Sequence, residues 1–185
     1  MKRFYLILSL IIVTALSARG QQVSVGVNAL DLANVGTLNV EAGVSVSQHV
    51  SLTASARINP WTYYRGDAQK QRQNRHQTYA VGMRWWPWHV NSGWWAGAKA
   101  QFEEYNRGGF ISRETEEGDA YGAGISAGYT LMLSDHINLD FGAGFWGGYK
   151  TYTVYRCPTC GRTVDEGAKW FIVPNEAIMS LIYVF

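Results

Sequence analysis

Most of the chain alternates apolar and polar residues with a period of two, and turn-forming residues interrupt this pattern repeatedly. A period of two is that of a β-strand, whose successive side chains point to opposite faces of a sheet. The interruptions separate eight predicted strands, which lie near residues 22–31, 37–47, 50–63, 77–87, 94–106, 119–133, 137–155 and 170–185. The sequence therefore predicts an all-β fold.

The two faces of the predicted strands differ sharply in composition. One face is apolar and uncharged, as in Ile125, Tyr129 and Leu131. The other is rich in glycine and carries the charged residues Glu41, Arg57, Arg84, Lys99, Glu103, Asp140 and Glu176. Because glycine weakens an exposed strand but makes room inside a narrow barrel, we place the second face in the lumen. This arrangement predicts an eight-stranded antiparallel up-and-down transmembrane β-barrel, and a lipocalin-like barrel with the apolar face inward is the alternative.

The last residues of the chain indicate where such a barrel would reside. The apolar residues of one parity end on an aromatic residue, which is typical of the terminal strand of a bacterial outer-membrane barrel. We expect the barrel-insertion machinery to read this strand as an assembly signal. The residues that form the signal are Met179, Leu181, Tyr183 and Phe185.

The first 20 residues have the features of a signal peptide. Lys2 and Arg3 precede an apolar run over residues 4–18, and small residues follow at the predicted cleavage site after Gly20. Residues 21–185 then form one barrel domain in the cell outer membrane. Removing residues 1–20 takes away three basic residues and no acidic one, so the formal charge falls from +2 to −1. This balance excludes nucleic acid as a partner.

The interruptions alternate between short turns and longer polar stretches. The longer stretches, at 64–76, 107–118 and 156–169, are predicted to be loops outside the cell, where basic residues suit the phosphates of lipopolysaccharide. Aromatic residues cluster at both strand ends, as expected for two interfacial girdles. The cluster at the short turns contains Trp85, Trp86, Trp88, Trp94, Trp95, Tyr183 and Phe185, and the cluster at the loops contains Trp61, Tyr63, Tyr64, Tyr105, Tyr149, Tyr152, Tyr155 and Trp170.

The charged lumen residues predict ion pairs rather than catalysis, because buried charges persist only when they are paired. Arg84 is expected to pair with Glu41 or Asp140. Among the histidines only His76 lies at the loop side, and nothing in the sequence fixes its geometry toward Glu103 or Ser112. No metal or cofactor is expected.

Two cysteines, Cys157 and Cys160, lie in one predicted external loop. Outside the cell a local disulfide is the favoured interpretation, with free thiols as one alternative. Metal ligation is the other, although a structural zinc site needs four ligands and the second cysteine pair is absent.

Several stretches resemble the small OmpA-like outer-membrane barrels of Bacteroides-type bacteria that are classed as a domain of unknown function. The resembling stretches include Asn28–Asp31, Asn59–Trp61, Arg84–Trp86, Gly122–Tyr129, Asn138–Asp140, Cys157–Cys160 and Ile178–Phe185. The resemblance covers nearly all of residues 21–185 and departs at Asn175–Glu176. It implies an eight-stranded barrel in a Gram-negative outer membrane, and it implies no activity.

The leading hypothesis is an integral outer-membrane barrel of structural or accessory role, with a filled polar lumen and no catalysis. Its expected partners are outer-membrane lipid, lipopolysaccharide, the insertion machinery and another envelope protein. One alternative is a surface binding or adhesion barrel that acts through its three long loops. The other is an outer-membrane lipid-modifying enzyme, which needs reactive side chains at the outer rim.

Overall fold

The computed structural model describes residues 22–65, 67, 70–110, 113–158 and 161–185, without the side chain of Asn175. The signal peptide predicted for residues 1–20 lies outside this part. The elements in chain order are β1 (Val23–Asn28), α1 (Ala29–Ala33), β2 (Leu38–Ser45), β3 (Val50–Asn59), β4 (Thr62–Tyr63), β5 (Arg72–Trp85), β6 (Gly93–Gly108), β7 (Thr115–Met132), β8 (Ile137–Tyr155) and β9 (Thr163–Val184).

The strands form a closed antiparallel barrel. Each strand pairs with its neighbours along the chain, and β1 pairs with β9 to close the ring. The two-residue strand β4 continues the line of β3 and pairs with β5. Counted with β3 as one strand, it gives a wall of eight strands. The prediction of an eight-stranded antiparallel all-β barrel is confirmed.

The barrel is apolar outside and polar inside. Ile125 and Val81, at 68% and 64% relative exposure, represent an outer face on which large apolar side chains point away from the protein. Asp140, at 0%, and Arg84 and Glu103, both buried, represent the lumen. This is the reverse of the distribution in a protein surrounded by water, where charged residues are almost never fully buried unless paired.

The two ends of the barrel differ. The turn end carries the short connections 46–49, 86–92 and 133–136 together with Phe185, and the loop end carries the connections 64–71, 109–114 and 156–162. The predicted long loops 64–76, 107–118 and 156–169 were too long, because their polar residues continue the flanking strands. Gln73, for example, donates to Asn106, and Asn106 donates to Glu117 across three adjacent strands. The hydrogen bonds between adjacent strands join backbone groups, so a strand can continue through residues whose side chains are polar.

The wall is much lower on one side than on the other. β1 has 6 residues and β9 has 22, and their pairing runs only from Ser24↔Val184 to Asn28↔Ser180. The predicted first strand, 22–31, ends early because Asn28 caps α1 by accepting from the backbone N–H of Leu30. Within the described residues no helix is long and apolar enough to cross a membrane.

Some aromatic residues depart from the predicted girdles. Trp86, Trp95 and Tyr105 point into the lumen and are buried. The other aromatic residues of the turn-end cluster stay on the outside, where Trp94 packs edge-on against Tyr129 with ring centroids 5.2 Å apart. Clustering near a turn therefore identified the end of the barrel but not the direction of each side chain.

Candidate functional site: the ion-paired lumen

Arg84, on β5, is the centre of one lumen network. Its Nη1 donates to Asp140 Oδ2 at 3.0 Å and its Nη2 donates to Glu41 Oε1 at 2.7 Å. The other oxygen of Asp140 accepts from Trp95 Nε1 at 2.7 Å and from Thr130 Oγ1 at 2.8 Å. Every polar atom of the fully buried carboxylate is therefore used, which is the condition under which a buried charge is tolerated.

Glu176, on β9, is the centre of a second network closer to the loop end. One of its oxygens accepts from Arg57 Nη2 and from Lys99 Nζ, each at 2.7 Å. Arg57 also faces the carboxylate of Asp31 on α1, with Nε 3.1 Å from Oδ2. This network joins α1 and β3 to β6 and β9, so it ties the low side of the wall to the high side.

The space between these two networks is nearly filled. The cavity that both networks line measures about 20 Å³, which is room for roughly one water molecule. Its lining includes Glu41, Arg57, Arg84 and Glu176. At this level the ion pairs leave little open space in the lumen.

An aromatic plug closes the turn end of the lumen. Trp86 and Trp95 pack with ring centroids 6.2 Å apart, and the Arg84 guanidinium lies 4.3 Å from the ring centre of Trp95. Val90 and Ile178 complete the cluster. Because Val90 lies in the connection between β5 and β6, this connection folds inward and seals the turn end.

Glycine at position 128 makes room for this plug. A Cβ atom at Gly128 would lie 2.5 Å from Trp95 Cζ2 and would also clash with the backbone oxygen of Phe141. Gly128→Ala should therefore destabilise the barrel by about 1–3 kcal/mol, as overpacking does. Urea unfolding of the purified protein tests this, and Ala127→Gly, on the outer face, is the control that should cost less. Equal stability of Gly128→Ala and the unmodified chain would contradict this packing.

A third group of charges lies at the loop end of the lumen. Lys150 Nζ donates to Glu116 Oε1 at 2.6 Å, Tyr105 Oη donates to the same oxygen at 2.7 Å, and Arg107 pairs with Glu103. The sequence prediction named Glu103 but missed Arg107 and Glu116, which lie beyond the predicted strand ends, and Lys150, which lies inside the predicted strand 137–155. The continued alternation of Glu103, Tyr105 and Arg107 along β6 was the signal that could have placed Arg107.

The structure brings six of the seven predicted lumen residues into two networks. Glu41, Arg84 and Asp140 form one, Arg57, Lys99 and Glu176 form the other, and Glu103 belongs to the loop-end group. The side chains of the predicted assembly signal, Met179, Leu181, Tyr183 and Phe185, are all exposed on the outer face. The disulfide between Cys157 and Cys160 stays a prediction, because Cys160 lies outside the described residues.

Each of the four histidines lies within hydrogen-bond distance of a backbone carbonyl oxygen. His49, His89 and His136 each place Nδ1 within 3.1 Å of a backbone carbonyl oxygen at the turn end, the acceptors being Trp86, Val90 and Val184. His76 does the same with Asn74 at 3.0 Å, and Ser112 lies outside the described residues. No group of three His, Cys, Asp or Glu side chains within the described part could hold a metal ion.

The fold and the lumen define a small eight-stranded β-barrel whose interior carries networks of ion pairs and buried aromatic side chains. The chain belongs to a protein family of unknown function, DUF3575, whose match covers residues 5–185. A comparison with curated proteins finds no match.

Proposed function

We propose that the protein is an integral barrel of the bacterial outer membrane with a structural or accessory role. The observation that carries this proposal is the inverted distribution of side chains, with apolar residues outside and paired charges inside. An outer band of large apolar residues bounded by aromatic residues fits the hydrocarbon layer and its two interfaces. On β7, Tyr129 and Tyr121 bound this band, and Ile125 lies midway between them.

We further propose that the lumen holds the barrel together and performs no catalysis. Its charges pair with one another at 2.6–3.1 Å and leave space for little more than a water molecule between the two central networks. A catalytic group needs access to a substrate, whereas the side chains of Arg84, Asp140, Lys99 and Glu176 are all at most 12% exposed. The proposed partners are membrane lipid, lipopolysaccharide, another envelope protein and the insertion machinery, for which β9 would be the assembly signal.

A lysine on the outer face tests the membrane setting. Ile125→Lys should cost about 2–4 kcal/mol when the barrel is unfolded from lipid vesicles, because a charge at the bilayer midplane loses its hydration. Thr151→Lys, on the outer face of β8 beyond Tyr149, is the matched control and should cost about 0–1 kcal/mol. Equal, small costs for both variants would show that Ile125 does not face lipid.

The accessory role is tested by purification from outer membranes in mild detergent without heating. A folded barrel should migrate differently before and after boiling, and native electrophoresis with mass spectrometry should reveal a stoichiometric companion protein. A folded barrel that migrates alone would contradict the accessory role while leaving the membrane setting intact.

A further inference from the structure

A cavity of about 250 Å³ lies at the loop end of the lumen, above the two central networks. Its apolar lining comes from Ala120, Trp146, Phe171 and Val173, and its polar lining comes from Glu103, Tyr105, Arg107, Glu116 and Lys150. All of these residues belong to β6, β7, β8 and β9. Within the described part of the chain, neither α1 nor any strand from β1 to β5 contributes to the lining.

On the side where β1 adjoins β9, the barrel wall is too low to reach the cavity. β9 pairs with β8 along nearly its whole length, but β1 accompanies it only from Ser180 to Val184. The Asn28 side chain ends this pairing, since its Nδ2 donates to Ala177 O and its Oδ1 accepts from Met179 N. Further toward the loop end, no strand in the described part of the chain pairs with β9 on its other side. The barrel wall therefore has a lateral gap above α1, beside the cavity.

The cavity lies at the height of the outer aromatic girdle. Tyr121, Tyr149 and Trp170 form a row on the outer face of β7, β8 and β9, with ring centroids 6.0 and 5.6 Å apart. Ala120, Lys150 and Phe171 are their immediate neighbours in sequence and line the cavity on the inner face. Because such girdles mark the head-group region of a bilayer, in the proposed membrane setting the gap beside the cavity lies at the level of the head groups of the outer leaflet.

The lining changes from apolar to charged along the barrel axis. Trp146 and Val173 are register partners nearer the central networks, and Phe171 packs edge-on against Trp146 with ring centroids 4.7 Å apart. The Lys150–Glu116 pair lies closer to the loop end, as does the Arg107–Glu103 pair. A lipid of the outer leaflet follows the same order along this axis, because its apolar chain lies toward the midplane and its charged head group lies toward the outside.

We propose that this cavity binds a zwitterionic amphiphile of the outer leaflet, which enters sideways through the gap above α1. The carboxylates of Glu103 and Glu116 can bind the cationic group of such a head group. Arg107 and Lys150 can bind its anionic group. A cavity of about 250 Å³ is slightly smaller than ordinary small-molecule sites of about 300–1,000 Å³. It therefore holds the head group and the first part of a chain, and the rest of the chain stays in the bilayer. The inference rests on the membrane setting proposed above.

Native mass spectrometry of the refolded protein, released from a non-ionic detergent, tests this binding site with myristoyl lysophosphatidylethanolamine as the probe. One molecule should remain bound to the unmodified barrel. Ala120→Phe fills the cavity and should weaken this binding by about tenfold or more, which corresponds to about 1.4 kcal/mol. Ala123→Phe, on the outer face of the same strand, is the matched control and should bind as the unmodified barrel does. Equal binding by Ala120→Phe would overturn the proposal.

Two further probes test the charge and the source of the ligand. Myristoyl lysophosphatidylglycerol, which lacks the cationic group, should bind more weakly, and equal binding would overturn the zwitterionic assignment. Glycerophosphoethanolamine, the head group without a chain, should not compete, and full competition would indicate a soluble ligand instead of a membrane lipid. Heat-modifiable migration is checked for every variant, so a folded barrel that binds nothing contradicts this inference without affecting the membrane setting.

Discussion

Replacing Arg84 with alanine should lower the free energy of unfolding of the barrel by about 3–5 kcal/mol, because it leaves an uncompensated buried charge. Asp140 has no exposed surface, and without Arg84 its carboxylate would keep only the neutral donors Trp95 and Thr130. Glu41 would lose its cation in the same change. Urea titration in lipid vesicles, with folded and unfolded protein separated by gel mobility, measures the effect.

Two further variants test whether the unpaired, buried carboxylate of Asp140 causes this loss of stability. Arg75→Ala removes an exposed arginine from the same strand and should change the stability by less than about 0.5 kcal/mol. Arg84→Ala combined with Asp140→Asn should recover part of the loss, since the amide oxygen still accepts from Trp95 and Thr130 but carries no charge. An unfolding midpoint for Arg84→Ala equal to that of the unmodified chain would refute the buried pair.

Glu176→Gln should produce an effect of similar size, about 3–5 kcal/mol, for a related reason. The Glu176 carboxylate accepts from both Arg57 and Lys99 at 2.7 Å. Arg57 keeps Asp31 as a second anion, but Lys99 loses the carboxylate to which it is bonded. The destabilisation should therefore arise chiefly from the buried ammonium group, and the same urea titration measures it.

A second substitution in the Glu176→Gln variant distinguishes the effect of the unpaired Lys99 from that of Arg57. Lys99→Met in the Glu176→Gln background removes the unpaired ammonium group and should restore most of the lost stability. Arg57→Met in that background should not, because Asp31 would then lose its cation. Glu166→Gln, an exposed position on the same strand, should change little. Identical effects of the two second substitutions would contradict the special dependence of Lys99 on Glu176.

The sequence was sufficient to predict the centre of each strand. Around Ile125 or Val81 the apolar outer face and the glycine-rich inner face differ enough that a period of two determines both strand and orientation. The same alternation placed Arg84 and Asp140 on the inner face. Their pairing could be expected because a buried cation needs a nearby anion.

The strand ends and the shape of the rim could not be predicted in this way. Residues 72–76 are polar on both faces, and residues 163–169 place Glu166 between Val164 and Ala168 on one face. The apolar alternation is therefore missing or interrupted there, although the backbones remain paired. The inner face also changes parity on β9, where Val173 and Glu176 both face the lumen across a register shift. A single strict period cannot describe a strand that contains such an irregularity.

The uneven height of the wall has a consequence for the surrounding bilayer. A strand needs about 9–11 residues to cross the hydrocarbon core, whereas β1 has 6 and β2 has 8. Leu30 and Leu32 of α1, both exposed, extend the apolar surface on this side only slightly. In the proposed setting, the short side creates hydrophobic mismatch, and we expect the bilayer to thin there. Thinning costs free energy that is recovered when two thinned regions merge, so neighbouring proteins should prefer to approach the barrel from the side of β1 and β2.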